Sequence, residues 1–401
     1  MTNRSLFHLI FAVLTLVMFS SCGHRYKMHR DALGSSGDYA CSEGNRARTG
    51  WTAPESFSGR LTVVWQHGSS GKPVGPLAIH NGVLIYPETK KKLKYYDLET
   101  GNLLGQYKAK GVPQTGLAVK DTVGVYAVGP RKNFLRAINL LSAKRLWQSD
   151  VKDALPGPII VGNRLIVSSS EGRVLAVDLT TGEPVWVYRA EQRLVASASY
   201  ADGRLFQPID RSGLIALSES DGRELYRVAL DGPLVSGVAA AELIYAADML
   251  GHVYALEPSD GSIVWKTSVD GPIWATPALT DGQVLVSHTG GELVALDRQS
   301  GTIQWRYEAG SVTRSAPLAM GELVVAGTMT GKIMVLRCAD GALVDSTRVK
   351  GAIEQAPVTD GRRVYVATQA GKIICFGESD EQADRPDHAS APQHQPQHQS
   401  P

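Results

Sequence analysis

Four cysteines, ten histidines and one glycine-rich loop are where this 401-residue chain could do chemistry. Cys22, Cys41, Cys338 and Cys375 include no adjacent pair and no Cys-x-x-Cys spacing. Three remain once Cys22 is set aside for the reason below, so no disulfide framework is implied. Cys375 falls where other copies of a repeat place Ala, which reads as a small buried thiol. Gly327-Thr328-Met329-Thr330-Gly331-Lys332 has three residues between its glycines where a phosphate loop has four, and Ile333 stands where Ser or Thr would bind magnesium. It reads as a hairpin turn. His388, His394 and His398 lie in a low-complexity tail, and His-Glu-x-x-His and Gly-x-Ser-x-Gly are both absent. No catalytic residue, cofactor site or metal site is expected.

Two constellations remain. Trp274, Arg314 and Glu354 each stand three residues before a proline, Pro277, Pro317 and Pro357, that marks the innermost strand of a repeat. They therefore occupy one level of three consecutive repeats. Either they satisfy one another as an aromatic-capped Arg–Glu pair, or they contact a peptide or ligand. Lys90, Lys91, Lys92 and Lys94 form a basic run, read as a solvated hairpin or as a contact for an anionic surface. The balance of 41 Lys+Arg against 39 Asp+Glu leaves no basic footprint for nucleic acid.

The N-terminus is a targeting segment. Arg4 precedes an apolar run from Leu6 to Phe19, too short for the roughly 20 residues a membrane span needs. Ser20, Ser21 and Cys22 follow. Phe19-Ser20-Ser21-Cys22 resembles a bacterial lipobox, with Phe where Leu, Val or Ile is usual. That resemblance implies a signal peptide over residues 1–21 and a lipid on Cys22. Gly23, in place of Asp, implies sorting to the outer membrane, with the chain facing the periplasm.

Eight copies of one unit must position these residues. Asp97, Asn139, Asp178, Ser218, Glu257, Asp297, Arg337 and Gly377 occupy equivalent positions, separated by 42, 39, 40, 39, 40, 40 and 40 residues. Each unit reads as short β-branched or aliphatic runs split by turn residues, four strands per forty residues, which is a propeller blade. The last copy, Ala352 to Phe376, lacks a fourth strand, and Leu61 to Trp65 stands alone before the first. The expected fold is all-β: a single eight-bladed β-propeller over residues 61–377 with four-stranded antiparallel blades, its N-terminal strand closing the last blade. Residues 22–60 are expected to be a lipidated tether and pre-propeller segment, and 378–401 a disordered tail.

The frame Ala-x-Asp-x-x-x-Gly-x-x-x-Trp, carried at Ala176 to Trp186 and Ala295 to Trp305, resembles the tryptophan-docking repeat of PQQ-like propellers. The resemblance implies that Trp65, Trp147, Trp186, Trp265 and Trp305 pack between neighbouring blades. Quinoprotein dehydrogenases of that superfamily hold PQQ over calcium with acidic ligands, a stacking Trp and a pair of adjacent cysteines, and this chain has no such pair. Lipobox, single ring and length, with Gln355 to Gly361 leading into Val364 to Val366 and Gly371 to Ile374, resemble the BamB family of the outer-membrane β-barrel assembly machinery. That implies a non-catalytic, lipid-anchored scaffold with protein partners. The alternatives are a quinoprotein-like oxidoreductase and a periplasmic sugar or cell-wall binding module.

Overall fold

In the second and third strands of each unit most residues are apolar and buried, because both sheet faces are covered by neighbouring blades. Gln283–Ser287 is buried throughout, whereas the outer strand Ile303–Glu308 alternates and turns only every second residue inward. A computed structural model describes residues 45, 48, 49, 51, 52, 57–129, 133–210 and 213–377 of the chain. Cys22, Cys41 and the tail histidines lie outside the described residues.

The strands form eight antiparallel sheets arranged as the blades of one ring, and no helix is present among the described residues. Blade 1 is made of Ala78–His80, Val83–Glu88, Lys92–Asp97 and Leu103–Lys108. Blades 2 to 7 repeat that order up to Leu343–Arg348. Blade 8 takes its inner three strands from Val358–Thr359, Val364–Ala367 and Lys372–Phe376, and its outer strand is Val63–Gly68 from the N-terminal side. Val63 pairs with Phe376, Trp65 with Cys375 and Gly68 with Lys372. The ring thus closes by hydrogen bonds that join the chain's two ends. Its core is divided into apolar clusters at the seams between blades, such as Trp65, Tyr96 and Leu98 with Tyr365, Ile373 and Cys375 where blade 8 meets blade 1.

The Trp frame explains those seams. Each outer strand carries a register shift beside its Trp, which turns the indole toward the following blade. There the ring lies over a glycine at positive φ, and its Nε1 donates to the carbonyl three residues before that glycine: Trp65 to Leu98 (3.0 Å), Trp147 to Leu179 (2.8 Å), Trp186 to Glu219 (3.0 Å), Trp265 to Arg298 (3.1 Å) and Trp305 to Cys338 (2.6 Å). A Cβ on Gly101, Gly182, Gly222, Gly301 or Gly341 would stand 2.4–2.6 Å from the indole. Tyr226 does the same work on Gly261, its hydroxyl donating to Pro258 (3.0 Å). Two outer strands lack the aromatic: Asp345 stands at its position in blade 7 and Gly105 in blade 1, where the facing turn of blade 2 carries Ala143 at φ 53°. Where no indole arrives, a Cβ is accommodated even in the left-handed region.

The carboxylates that open these turns are acid-sensitive. The Thr181 N–H, with that of Thr180, holds the Asp178 carboxyl below the usual range, and the Ser300 N–H does the same for Asp297. A depressed carboxyl contributes stability that is present above its unfolded value, about 3.9, and lost as pH falls through the folded one. The melting temperature is therefore expected to drop between about pH 5 and pH 2. Asp178→Asn with Asp297→Asn should flatten that drop, because an amide oxygen accepts the same N–H bonds at any pH. Equal acid sensitivity in parent and double variant would rule the turns out as its source.

One part of the segment expected to be a tether belongs to the ring. Trp51–Thr52 forms a fifth, parallel strand beside the inner strand of blade 7, Trp51 opposite Ala319 and Thr52 opposite Met320. Leu279 N–H of blade 6 donates to Thr49 O (2.7 Å), and Phe57 and Leu61 join the apolar seam of blades 7 and 8. The physical reason is that inner strands leave backbone groups facing the channel, and this segment satisfies some of them.

Candidate functional site

The loops that carry the chain from each outer strand to the next inner strand gather at one face of the ring and build the channel mouth. Trp274, Arg314 and Glu354 come together there, lining one cavity of about 210 Å³ with small residues of several blades, among them Pro156, Ser197, Ser236 and Thr276. Trp274 is 40% exposed, unusual for an indole. The Arg314 guanidinium carbon lies 4.9 Å from the centroid of its ring. Glu354 is held elsewhere: its Oε2 accepts from Gln369 Nε2 at 2.7 Å. Among the described residues Arg314 and Glu354 form no ion pair within 4.0 Å, so the expected Arg–Glu pair is replaced by a stacked cation and a separately anchored carboxylate.

The cavity also holds a residue that sequence reasoning passed over. Arg48 is only 3% exposed and lines the same cavity. Its Nε donates to Ala198 O (3.1 Å) and its Nη2 to Gly157 O. A basic residue in an aperiodic stretch gives no signal of such a place; the pairing of Trp51–Thr52 with blade 7 puts it there.

This arrangement does not fit a quinone cofactor on a metal ion. Its volume lies below the roughly 300–1,000 Å³ of ordinary ligand pockets. Glu354 is the one carboxylate lining the cavity, and no group of three or more His, Cys, Asp or Glu among the described residues could hold a metal. The thiols of Cys338 and Cys375 are buried in blade seams, and burial pushes them up to about 11 and about 12, far from a reactive thiolate. Gly327 to Lys332 spans a hairpin between Leu323–Gly327 and Lys332–Arg337. Two further polar clusters staple similar turns. Asp248 accepts from the Leu250 and His252 N–H groups and from the Tyr254 hydroxyl. His288 Nδ1 accepts from Gly290 N–H, which leaves the proton on Nε2 to be donated to Glu292 (3.1 Å).

Comparison with known proteins bears on this ring and its mouth. The family described as outer membrane protein assembly factor BamB matches residues 58–188 and 210–399. The chain belongs to the BamB family. Among curated BamB-family relatives, the outer membrane protein assembly factor BamB of Burkholderia pseudomallei is 26% identical over 225 residues, 51% of this chain and 55% of that protein. The chain thus spans about half the length of the curated relatives it matches. BamB from Moraxella catarrhalis superposes with a TM-score of 0.68 at 19% identity, covering 80% of this chain and all of that one. The quinohemoprotein alcohol dehydrogenase of Comamonas testosteroni superposes as well, TM-score 0.70 at 14% identity over 87% of this chain and 81% of that one. At such identities the structures share the fold alone, so the ring cannot by itself separate BamB chemistry from quinoprotein chemistry.

Proposed function

We propose that this BamB-family propeller is a non-catalytic scaffold that holds other proteins during outer-membrane β-barrel assembly, anchored by a lipid on Cys22 and facing the periplasm. The observation that carries the reading is the family match along nearly the whole ring. The channel mouth adds support, since its donors suit recognition by stacking and hydrogen bonding rather than bond-making. In this reading residues 1–21 are removed, 22–60 carry the anchor and lead into the ring, 61–377 form the propeller, and 378–401 follow it as a separate C-terminal segment. The five indoles at the seams are structural. Trp274, Arg314 and Glu354 are the contact offered at the mouth.

Affinity purification from detergent-solubilised membranes tests the proposal. Co-enrichment of a β-barrel assembly component is the expected result, and recovery of the lipoprotein alone under mild conditions would count against it. Cys22→Ser should leave an unprocessed or soluble product, because a thioether cannot form on a hydroxyl; membrane association unchanged in that variant would remove the anchor. Dye reduction on addition of PQQ and calcium would overturn the non-catalytic reading in favour of a quinoprotein.

A further inference from the structure

The N-terminal segment threads the ring in one direction. Trp51 and Thr52 run parallel to Ala319 and Met320. The chain before them therefore lies on the side of Arg314, and the chain after them on the side of the Leu323 turn. Both ends agree. Arg48 lines the mouth with Trp274 and Arg314, whereas Gly59 packs beside Leu323 and Val344 and the Leu61 N–H donates to Asp345 Oδ2 (2.8 Å). The described residues Arg48 and Thr49 consequently enter the ring at the mouth and not at the opposite face. The stretch from Gly23 to Gly44 spans at most about 75 Å, which ties that mouth to whatever surface holds Cys22.

The same face carries a concentration of unpaired cations on blade 1. Antiparallel order puts the turn at Lys90 and Lys91, and the loops holding Lys72 and Lys110, at the mouth side. The Thr89 N–H donates to Lys72 O and the Ala109 N–H to Lys91 O, each at 2.9 Å, which gathers these loops into one patch. Lys92 and Lys108 stand directly opposite one another on neighbouring strands. Like charges so placed cost stability. In blade 3 the corresponding Arg173 is relieved by Glu171 and in blade 6 Glu292 by Arg306, whereas blade 7 sets Lys332 opposite Arg348, with Lys332 donating to the Tyr307 hydroxyl and the Ala309 carbonyl. In blade 1 Lys94 has Glu88 at 3.4 Å, but among the described residues Lys72, Lys90, Lys91, Lys92, Lys108 and Lys110 form no ion pair. Fold stability gives no reason for this arrangement, and an external anionic surface does.

We propose that the lysine patch of blade 1 rests on anionic lipid headgroups, turning the mouth face of the ring toward the membrane. The inference rests on the proposed anchor at Cys22 for the nearness of that surface, and on the threaded segment for the choice of face. Each lysine close to an anionic surface changes partitioning about fivefold, and the attraction weakens with salt.

The test uses the chain from Gly23 onward, which keeps every described residue and carries no acyl group, in sedimentation with vesicles of phosphatidylcholine alone or with one lipid in three replaced by phosphatidylglycerol. Binding to the anionic vesicles only, lost as salt rises, is expected. Lys72→Gln, Lys90→Gln, Lys91→Gln, Lys108→Gln and Lys110→Gln together should weaken it on the order of a hundredfold or more while leaving the melting temperature near the parent's. Replacing exposed Arg223 and Arg337 on the opposite face by Gln should have little effect. Equal binding to neutral vesicles, equal loss in both variants, or no vesicle binding would overturn the proposal. So would competition by millimolar inorganic phosphate at fixed ionic strength, which would point to a discrete phosphate site. The acyl group is absent throughout, so a negative result leaves the anchor standing, and a chain never acylated in cells would leave the vesicle result standing.

Discussion

Trp65→Ala should lower the stability of the ring by about 3–5 kcal/mol, a large share of the roughly 5–15 kcal/mol that holds a domain together. The residue closes the one seam whose two sides lie at opposite ends of the chain. Its indole is 8% exposed, packs with Tyr365 of blade 8 at 5.8 Å between ring centroids, and donates to Leu98 O of blade 1. Truncation would leave a cavity between the first and last blades and strip the Leu98 carbonyl of its donor. Val63→Ala on the same strand, 50% exposed, should stay within about 0.5 kcal/mol of the parent. Deletion through Gly68 should be worse than Trp65→Ala, because it bares the edge of Lys372–Phe376 and invites pairing between copies. Thermal melts of the two substitutions, with size-exclusion chromatography of the deletion, decide the matter. If Trp65→Ala melts with the parent, the closing strand does not hold the ring.

Gly301→Ala should cost about 2–5 kcal/mol, and Gly82→Ala only about 1 kcal/mol. The two glycines have nearly the same φ, 71° and 72°, so backbone strain is common to both. They differ in what a Cβ would meet: 2.5 Å from the Trp265 ring at Gly301, nothing within 4 Å at Gly82. The excess at Gly301 therefore measures the docking contact. Trp265→Ala should remove most of that excess in a double-mutant cycle, the remainder coming from Thr267 Oγ1, 2.9 Å from the same Cβ. Equal melting temperatures for Gly301→Ala and Gly82→Ala would mean that the indole gives way and that the docking is soft.

The repeat period of 39 to 42 residues, the orphan strand before Trp65 and the missing fourth strand after Phe376 are local patterns, so the eight blades and their closure were legible in the amino-acid order. So was the shared level of Trp274, Arg314 and Glu354, since a constant offset from the inner-strand proline places equivalent residues at equal height. The partners of the docking frame were not. Gly301 and Trp305 sit side by side in one unit, yet Trp305 covers Gly341 and Gly301 lies under Trp265, because an outer strand faces the next blade and not its own turn. Spacing within a unit cannot express a contact between units. Nor could it tell that Arg314 stacks on Trp274 while Glu354 binds Gln369: level is set by backbone repetition, but pairing is set by which side chains can reach across neighbouring blades. The stretch around Arg48 was the least legible. A two-residue parallel strand has no periodicity of its own, and its place was decided by backbone groups of blades 6 and 7 left open toward the channel, which exist only once the ring has closed.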